Sequence, residues 1–127
     1  MSFITSFIRF FYRNKPSQEK MAEVKKWIDE DIAGNKIFVI SKSYCPYCVK
    51  AKKALESFSL KEGSMKWMDI ENHPDMNAIQ DYMGALTGSR SVPKVFIGGK
   101  YLGGGDDTVA AKSNGTLEKM LRDVEAI

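Results

Sequence analysis

The chain has 127 residues, 43% apolar and 28% charged, a balance that suits one soluble domain with its own core and excludes a low-complexity chain. Two cysteines are too few for a disulfide scaffold, and with the single histidine they are too few for a four-ligand zinc centre. The net charge of +3 resides in Arg9, Arg13 and Lys15, so the remaining sequence is balanced and argues against a general nucleic-acid footprint; no apolar run is long enough to span a bilayer.

Residues 1–16 differ from the rest. On a helical wheel Phe3, Ile4, Phe7, Ile8, Phe10 and Phe11 gather on one side, with Ser2, Thr5, Ser6, Arg9 and Arg13 opposite. An acid-free amphipathic segment of this kind fits a mitochondrial targeting or interfacial helix, and equally a tail that does not fold alone. Pro16-Ser17 reads as a break, with residues 17–127 as the folded domain and Met21 as an alternative start. Helix signals run from Gln18 to Ile32, with Met21, Val24, Ile28 and Ile32 on one stripe and Gly34-Asn35 as the stop. Lys36–Ile40 is a continuous, β-branched apolar run that reads as a buried strand. After a loop from Ser41 to Tyr44, a helix opens at the cysteines, with Cys48, Ala51, Leu55 and Phe58 on its inner face and Lys50, Lys52 and Lys53 outside.

Gly63 ends that segment, and Met65–Ile70 reads as a second strand, which implies a parallel βαβ unit. Pro74 is placed to open a helix whose stripe is Met76, Ile79, Met83 and Leu86, with Gly88 after its end. Lys94–Ile97 and Lys100–Leu102 read as short strands joined by the Gly98-Gly99 turn. Gly103-Gly104-Gly105 leads to Asp106-Asp107, which suits a helix N-terminus; Asn114-Gly115 interrupts, and Leu117, Leu121 and Val124 mark a last short amphipathic helix.

The chemistry centres on Cys45-Pro46-Tyr47-Cys48. A disulfide between residues three apart closes a loop too small to stabilise a fold, so its use is to open and close. The attacking sulfur must be a thiolate. At a strand-to-helix junction Cys45 meets unpaired backbone N–H groups and the positive end of the helix dipole, with Lys42 three residues upstream. Cys48, one turn in, is the more buried and is placed to resolve a mixed disulfide. His73 before Pro74 reads as a loop residue rather than a base.

Four stretches carry a family resemblance: Lys42–Cys48, Ile79–Tyr82, Leu86–Lys100 and Leu102–Asp107. Together they resemble the glutaredoxins of the thioredoxin superfamily, from about Val24 to the C-terminus. The resemblance implies a thioredoxin-like α/β fold with a four-stranded mixed sheet flanked by helices. It implies a glutathione-dependent thiol–disulfide oxidoreductase with glutathione as co-substrate and no metal. Cys45 would be the nucleophile and Cys48 the resolving cysteine. Val92-Pro93 would be the family's cis-proline loop, with the Val92 backbone pairing the cysteinyl part of glutathione and Tyr47 lining the groove. Lys42, Gln80 and Arg90 would hold the glycine-end carboxylate, and Gly105, Asp106 and Asp107 the γ-glutamyl end. The charges agree independently, since Lys42 and Arg90 suit a carboxylate while a helix N-terminus and Asp107 suit a carboxylate and an ammonium.

Partners would be glutathionylated proteins and protein disulfides, with no nucleic acid, the chain acting as a cytoplasmic monomer or, through residues 1–16, a mitochondrial one. A thioredoxin coupled to a flavoprotein reductase is opposed by the charged clamp and the absence of Trp-Cys-Gly-Pro-Cys. An iron–sulfur carrier bridging two chains is opposed by Pro46, where cluster-binding members usually have a smaller residue.

Overall fold

The structure, a computed structural model, describes residues 16–127. Helix α1 spans Gln18–Gly34; strand β1, Ile37–Ser41; helix α2, Pro46–Glu56; strand β2, Met65–Asp69; helix α3, Met76–Thr87. Strands β3, Lys94–Ile97, and β4, Lys100–Gly103, form a hairpin, and helices α4, Gly105–Ser113, and α5, Thr116–Asp123, complete the chain. The expectations for residues 1–15 lie outside the described residues. At the start of α1 the Ser17 side chain accepts a hydrogen bond from the Lys20 amide at 3.0 Å, a helix cap that satisfies an otherwise orphan donor.

The sheet order is β2-β1-β3-β4. Strand β1 pairs parallel with β2, from Ile37 opposite Met65 to Ser41 opposite Asp69, and antiparallel with β3, where Phe38 faces Phe96. Every residue of β1 is buried because both faces are covered. Its side chains alternate between two cores. Ile37 and Val39 join Ala51, Ala54 and Leu55 of α2, Val95 and Ile97 of β3, and Leu117 and Leu121 of α5. Phe38 and Ile40 point the other way, to Val24 and Ile28 of α1, Ile79, Tyr82 and Met83 of α3, and Phe96. This is the expected thioredoxin-like arrangement, with helices on both sides of a mixed sheet.

The element order matches the sequence expectation, and the departures are local. Pro74 does not open α3. It sits in a turn in which the Met76 amide reaches the His73 carbonyl at 3.1 Å and the Asp75 amide reaches His73 Nδ1 at 2.9 Å, so the helix begins two residues later. His73 is a loop residue, as expected, with its ring stacked on Trp27. Leu86 leaves the inner stripe and is 47% exposed, because α3 ends at Thr87 and Gly88 turns the chain away with a φ of 89°. Phe58 lies beyond the end of α2 but still packs on the core from the loop.

Candidate active site

The end of β1 delivers the chain to Cys45, which is the N-cap of α2, with Pro46 in the first turn. Pro46 fits there because the missing N–H would be unpaired in any case. Cys45 is partly exposed; its thiol faces the Val92 carbonyl at 3.7 Å, and its amide bonds to the Lys42 carbonyl at 3.1 Å. Cys48, one turn along, is only 2% exposed. Burial pushes its thiol up to about 11, opposed by the Ser41 hydroxyl and the Lys42 backbone, with Cys45 adding a smaller upward push. The two sulfurs thus have distinct environments, one at the open end of a helix and one behind it. A cleft of about 170 Å3 lined by Ser41, Lys42, Ser43, Lys52, Trp67 and Asp69 reaches Cys48 from the side of β2.

Pro93 follows a cis peptide bond from Val92, as the resemblance implied. The antiparallel pairing of β1 with β3 sets this loop beside Cys45, although the two lie 47 positions apart in the chain. Tyr47 is exposed beside Cys45, with Lys50 Nζ 5.1 Å from its ring centre. Lys42 is half-buried in the loop before Cys45. Gln80 donates to the Arg90 carbonyl at 2.9 Å, and Arg90 Nε pairs with Asp81 at 2.8 Å. Gln80 therefore braces the loop that carries Arg90, and Arg90 keeps its two terminal nitrogens for another acceptor.

On the opposite side, Asp107 accepts from the Gly104 amide at 3.0 Å and caps α4, while Asp106 lies 3.7 Å from Lys50. Gly105 is packed so tightly on the Tyr47 carbonyl that a Cβ there would collide with it, and one on Gly103 (φ 142°) would collide with Asp107. Those two glycines let the α4 N-terminus approach α2. The structure thus brings Cys45 to Val92 and Gly105 to Tyr47, which outlines a candidate groove, with Lys42 and Arg90 on the loops before α2 and β3 and Gln80 on α3.

Sequence reasoning missed several groups. Glu71 accepts from both the amide and the hydroxyl of Ser43, the amide at 3.2 Å, which holds its carboxyl below the usual range, with a smaller contribution from Lys42. It anchors the loop that presents Cys45. Its signal was weak, one acid after a strand. Ser89, Ser91, Thr87, Lys94 and Tyr101 form a polar cluster at the 89–92 loop. Lys94 in particular reads from sequence as an ordinary strand lysine. Among the described residues no cluster of three or more His, Cys, Asp or Glu side chains could hold a metal, and no helix is long and apolar enough to cross a membrane.

The family model of glutaredoxins matches residues 37–102, which run from the start of β1 into β4 and contain both cysteines and the cis-proline loop. The chain belongs to the glutaredoxin family. It is 39% identical to glutaredoxin-1 of Rhizophagus irregularis over 101 residues, 80% of this chain and 97% of that one. Oxidised glutaredoxin 2 of Chlamydomonas reinhardtii shares 52% identity at a TM-score of 0.79, covering 84% of this chain and 98% of the other. A buckwheat glutaredoxin–glutathione complex superimposes at a TM-score of 0.81 with 32% identity, covering 88% and 99%. In this glutaredoxin the matched strands, the cysteine helix and the proline loop are the parts that build the groove.

Proposed function

We infer that the protein is a glutathione-dependent thiol–disulfide oxidoreductase that removes glutathione from mixed disulfides and reduces protein disulfides. The observation that carries this reading is Cys45 at the N-cap of α2, facing the cis-proline loop, with Cys48 buried one turn behind. The Cys45 thiolate attacks the glutathionyl sulfur of a substrate, the substrate leaves as a thiolate that takes a proton, and the glutathionyl group stays on Cys45. A second glutathione then attacks the glutathionyl sulfur, forming glutathione disulfide and freeing the Cys45 thiolate, or Cys48 attacks the Cys45 sulfur, forming the Cys45–Cys48 disulfide and releasing glutathione. A mixed disulfide thus consumes one free glutathione, the second half of the glutathione disulfide coming from the substrate; when Cys48 resolves, the Cys45–Cys48 dithiol supplies the electrons and two glutathione molecules restore it.

The groove supports glutathione as the group recognised. Arg90 and Lys42 offer cations for the glycine carboxylate, the α4 N-terminus offers N–H groups for the other, and Asp107 offers an acceptor for the ammonium. Within this reading residues 17–127 are the catalytic domain, the working unit is a monomer, and residues 1–16 are an extension that directs a portion of a cytoplasmic enzyme to mitochondria. Turnover of a glutathionylated peptide with glutathione, NADPH and glutathione reductase tests the activity. Equal turnover with thioredoxin reductase replacing glutathione and its reductase would overturn it.

A further inference from the structure

Lys94, the first residue of β3, is an anomaly. It is 1% exposed, yet it has no carboxylate partner among the described residues. Its ammonium donates to Ser91 Oγ at 3.3 Å and lies 5.7 Å from the centre of the Tyr101 ring. A buried cation with one hydroxyl and one aromatic face is costly to keep, and burial alone pushes its pKa down. A methionine of similar length would fill the same space without that cost.

What the ammonium touches explains its presence. Ser91 Oγ lies 2.8 Å from Ser89 Oγ, the Ser91 amide donates to the same Ser89 oxygen at 3.1 Å, and the Thr87 hydroxyl, whose shorter acceptor is the Met83 carbonyl at 2.7 Å, lies 3.1 Å from the Ser89 carbonyl. These bonds form one chain from the end of α3 to the first residue of β3, spanning the loop that carries Arg90 and Val92. Tyr101, which the ammonium faces, sits on β4, and burial raises its pKa, with the Asp107 carboxylate adding to the shift. Lys94 therefore ties the 89–92 loop to Tyr101 of the β3–β4 hairpin.

We propose that Lys94 is a positioning residue for the glutathionyl group: its buried ammonium, through Ser91, pins the 89–92 loop so that Val92 and Arg90 are preset for the tripeptide. This rests on the reading that glutathione occupies the groove. Losing the anchor costs recognition of the glutathionyl group and leaves the reactivity of Cys45 untouched.

The test is steady-state turnover of the full chain and its Lys94→Met and Ser91→Ala variants on two forms of one peptide, one glutathionylated and one carrying cysteine alone as the mixed disulfide. For each variant KM for the glutathionylated peptide is expected to rise about three- to tenfold with kcat changed less than twofold, the loss of one charge-assisted hydrogen bond acting through a loop. Values for the cysteinylated peptide should not move. The double variant should be no worse than the poorer single one, because both remove the same link. Lys94→Met should melt no lower than the parent, which separates recognition from folding, and exposed Ser91 provides a variant that does not disturb the core. Unchanged KM, equal losses on both peptides, or effects of the two variants that multiply would overturn the proposal. If the parent does not distinguish the two peptides, it is the glutathione reading that fails; if the parent distinguishes them and the variants match it, only the role of Lys94 fails.

Discussion

On the proposed mechanism, the burial of Cys48 sets how fast the protein resolves its own mixed disulfide. With the thiol near 11, about one molecule in ten thousand carries a Cys48 thiolate at pH 7. An ordinary thiol, with a pKa of about 8.5, is about one part in thirty thiolate at the same pH. Cys48 recovers about one of the lost factors of ten because a more basic thiolate is a better nucleophile, and its place one turn from Cys45 raises its effective concentration. Glutathionylating Cys45 removes only the smaller contribution to the Cys48 shift and leaves burial in place. Release of glutathione from this adduct, without added thiol, should therefore rise about tenfold per pH unit from pH 7 to about 10. Free glutathione as resolver should level off above about 8.5. The assay is rapid acid quench of the glutathionylated protein across pH, followed by separation of the released glutathione, with Cys48→Ser as the blank. A plateau between pH 8 and 9 would refute the burial argument. Release from Cys48→Ser at the parental rate would refute the assignment of the resolving thiol.

Cys45→Ser should abolish transfer on all substrates, whereas Cys48→Ser should keep turnover of a glutathionylated peptide and lose most reduction of intramolecular protein disulfides; coupled turnover assays on both substrates read the difference. Arg90→Ala should raise KM for the glutathionylated peptide about fivefold, or about 1 kcal/mol, because the proposed carboxylate contact would be made by an exposed guanidinium already paired with Asp81. Because the folded Cys48 pKa is raised, its contribution to stability is complete below the unfolded value near 9.0 and is lost as pH rises to about 11. Urea denaturation of the reduced protein should thus show about 2–3 kcal/mol more destabilisation between pH 8.5 and 11 in the parent than in Cys48→Ser. Phe38→Ala, which empties the centre of the α1–α3 core, should cost about 3–5 kcal/mol by the same measurement while Cys45 stays alkylatable in the folded protein.

Much of the fold was legible because its signals are local. The apolar run through Phe38 and Val39 demanded a strand covered on both faces, the cysteines three apart with Pro46 between them demanded a helix start, and Gly98-Gly99 demanded a hairpin. Pro74 misled because the same fixed φ serves a turn and a first helical residue equally well, and only the bonds around His73 choose between them. Leu86 misled because periodicity continues past the point where a helix stops facing the core.

By itself the sequence determined the element order, the two cysteines three apart at a helix start, and the neutral body with a basic extension. Each follows from residue type and spacing along a few turns of chain. The tertiary structure decided what meets across the sheet. It set the Val92 carbonyl against Cys45, bonded the Gln80 side chain to the Arg90 backbone, and pressed Gly105 onto Tyr47. It also buried Lys94, against the ordinary preference of lysine for water. Such contacts join residues far apart in the chain, so strand pairing and helix packing decide them, and neither is written in local spacing.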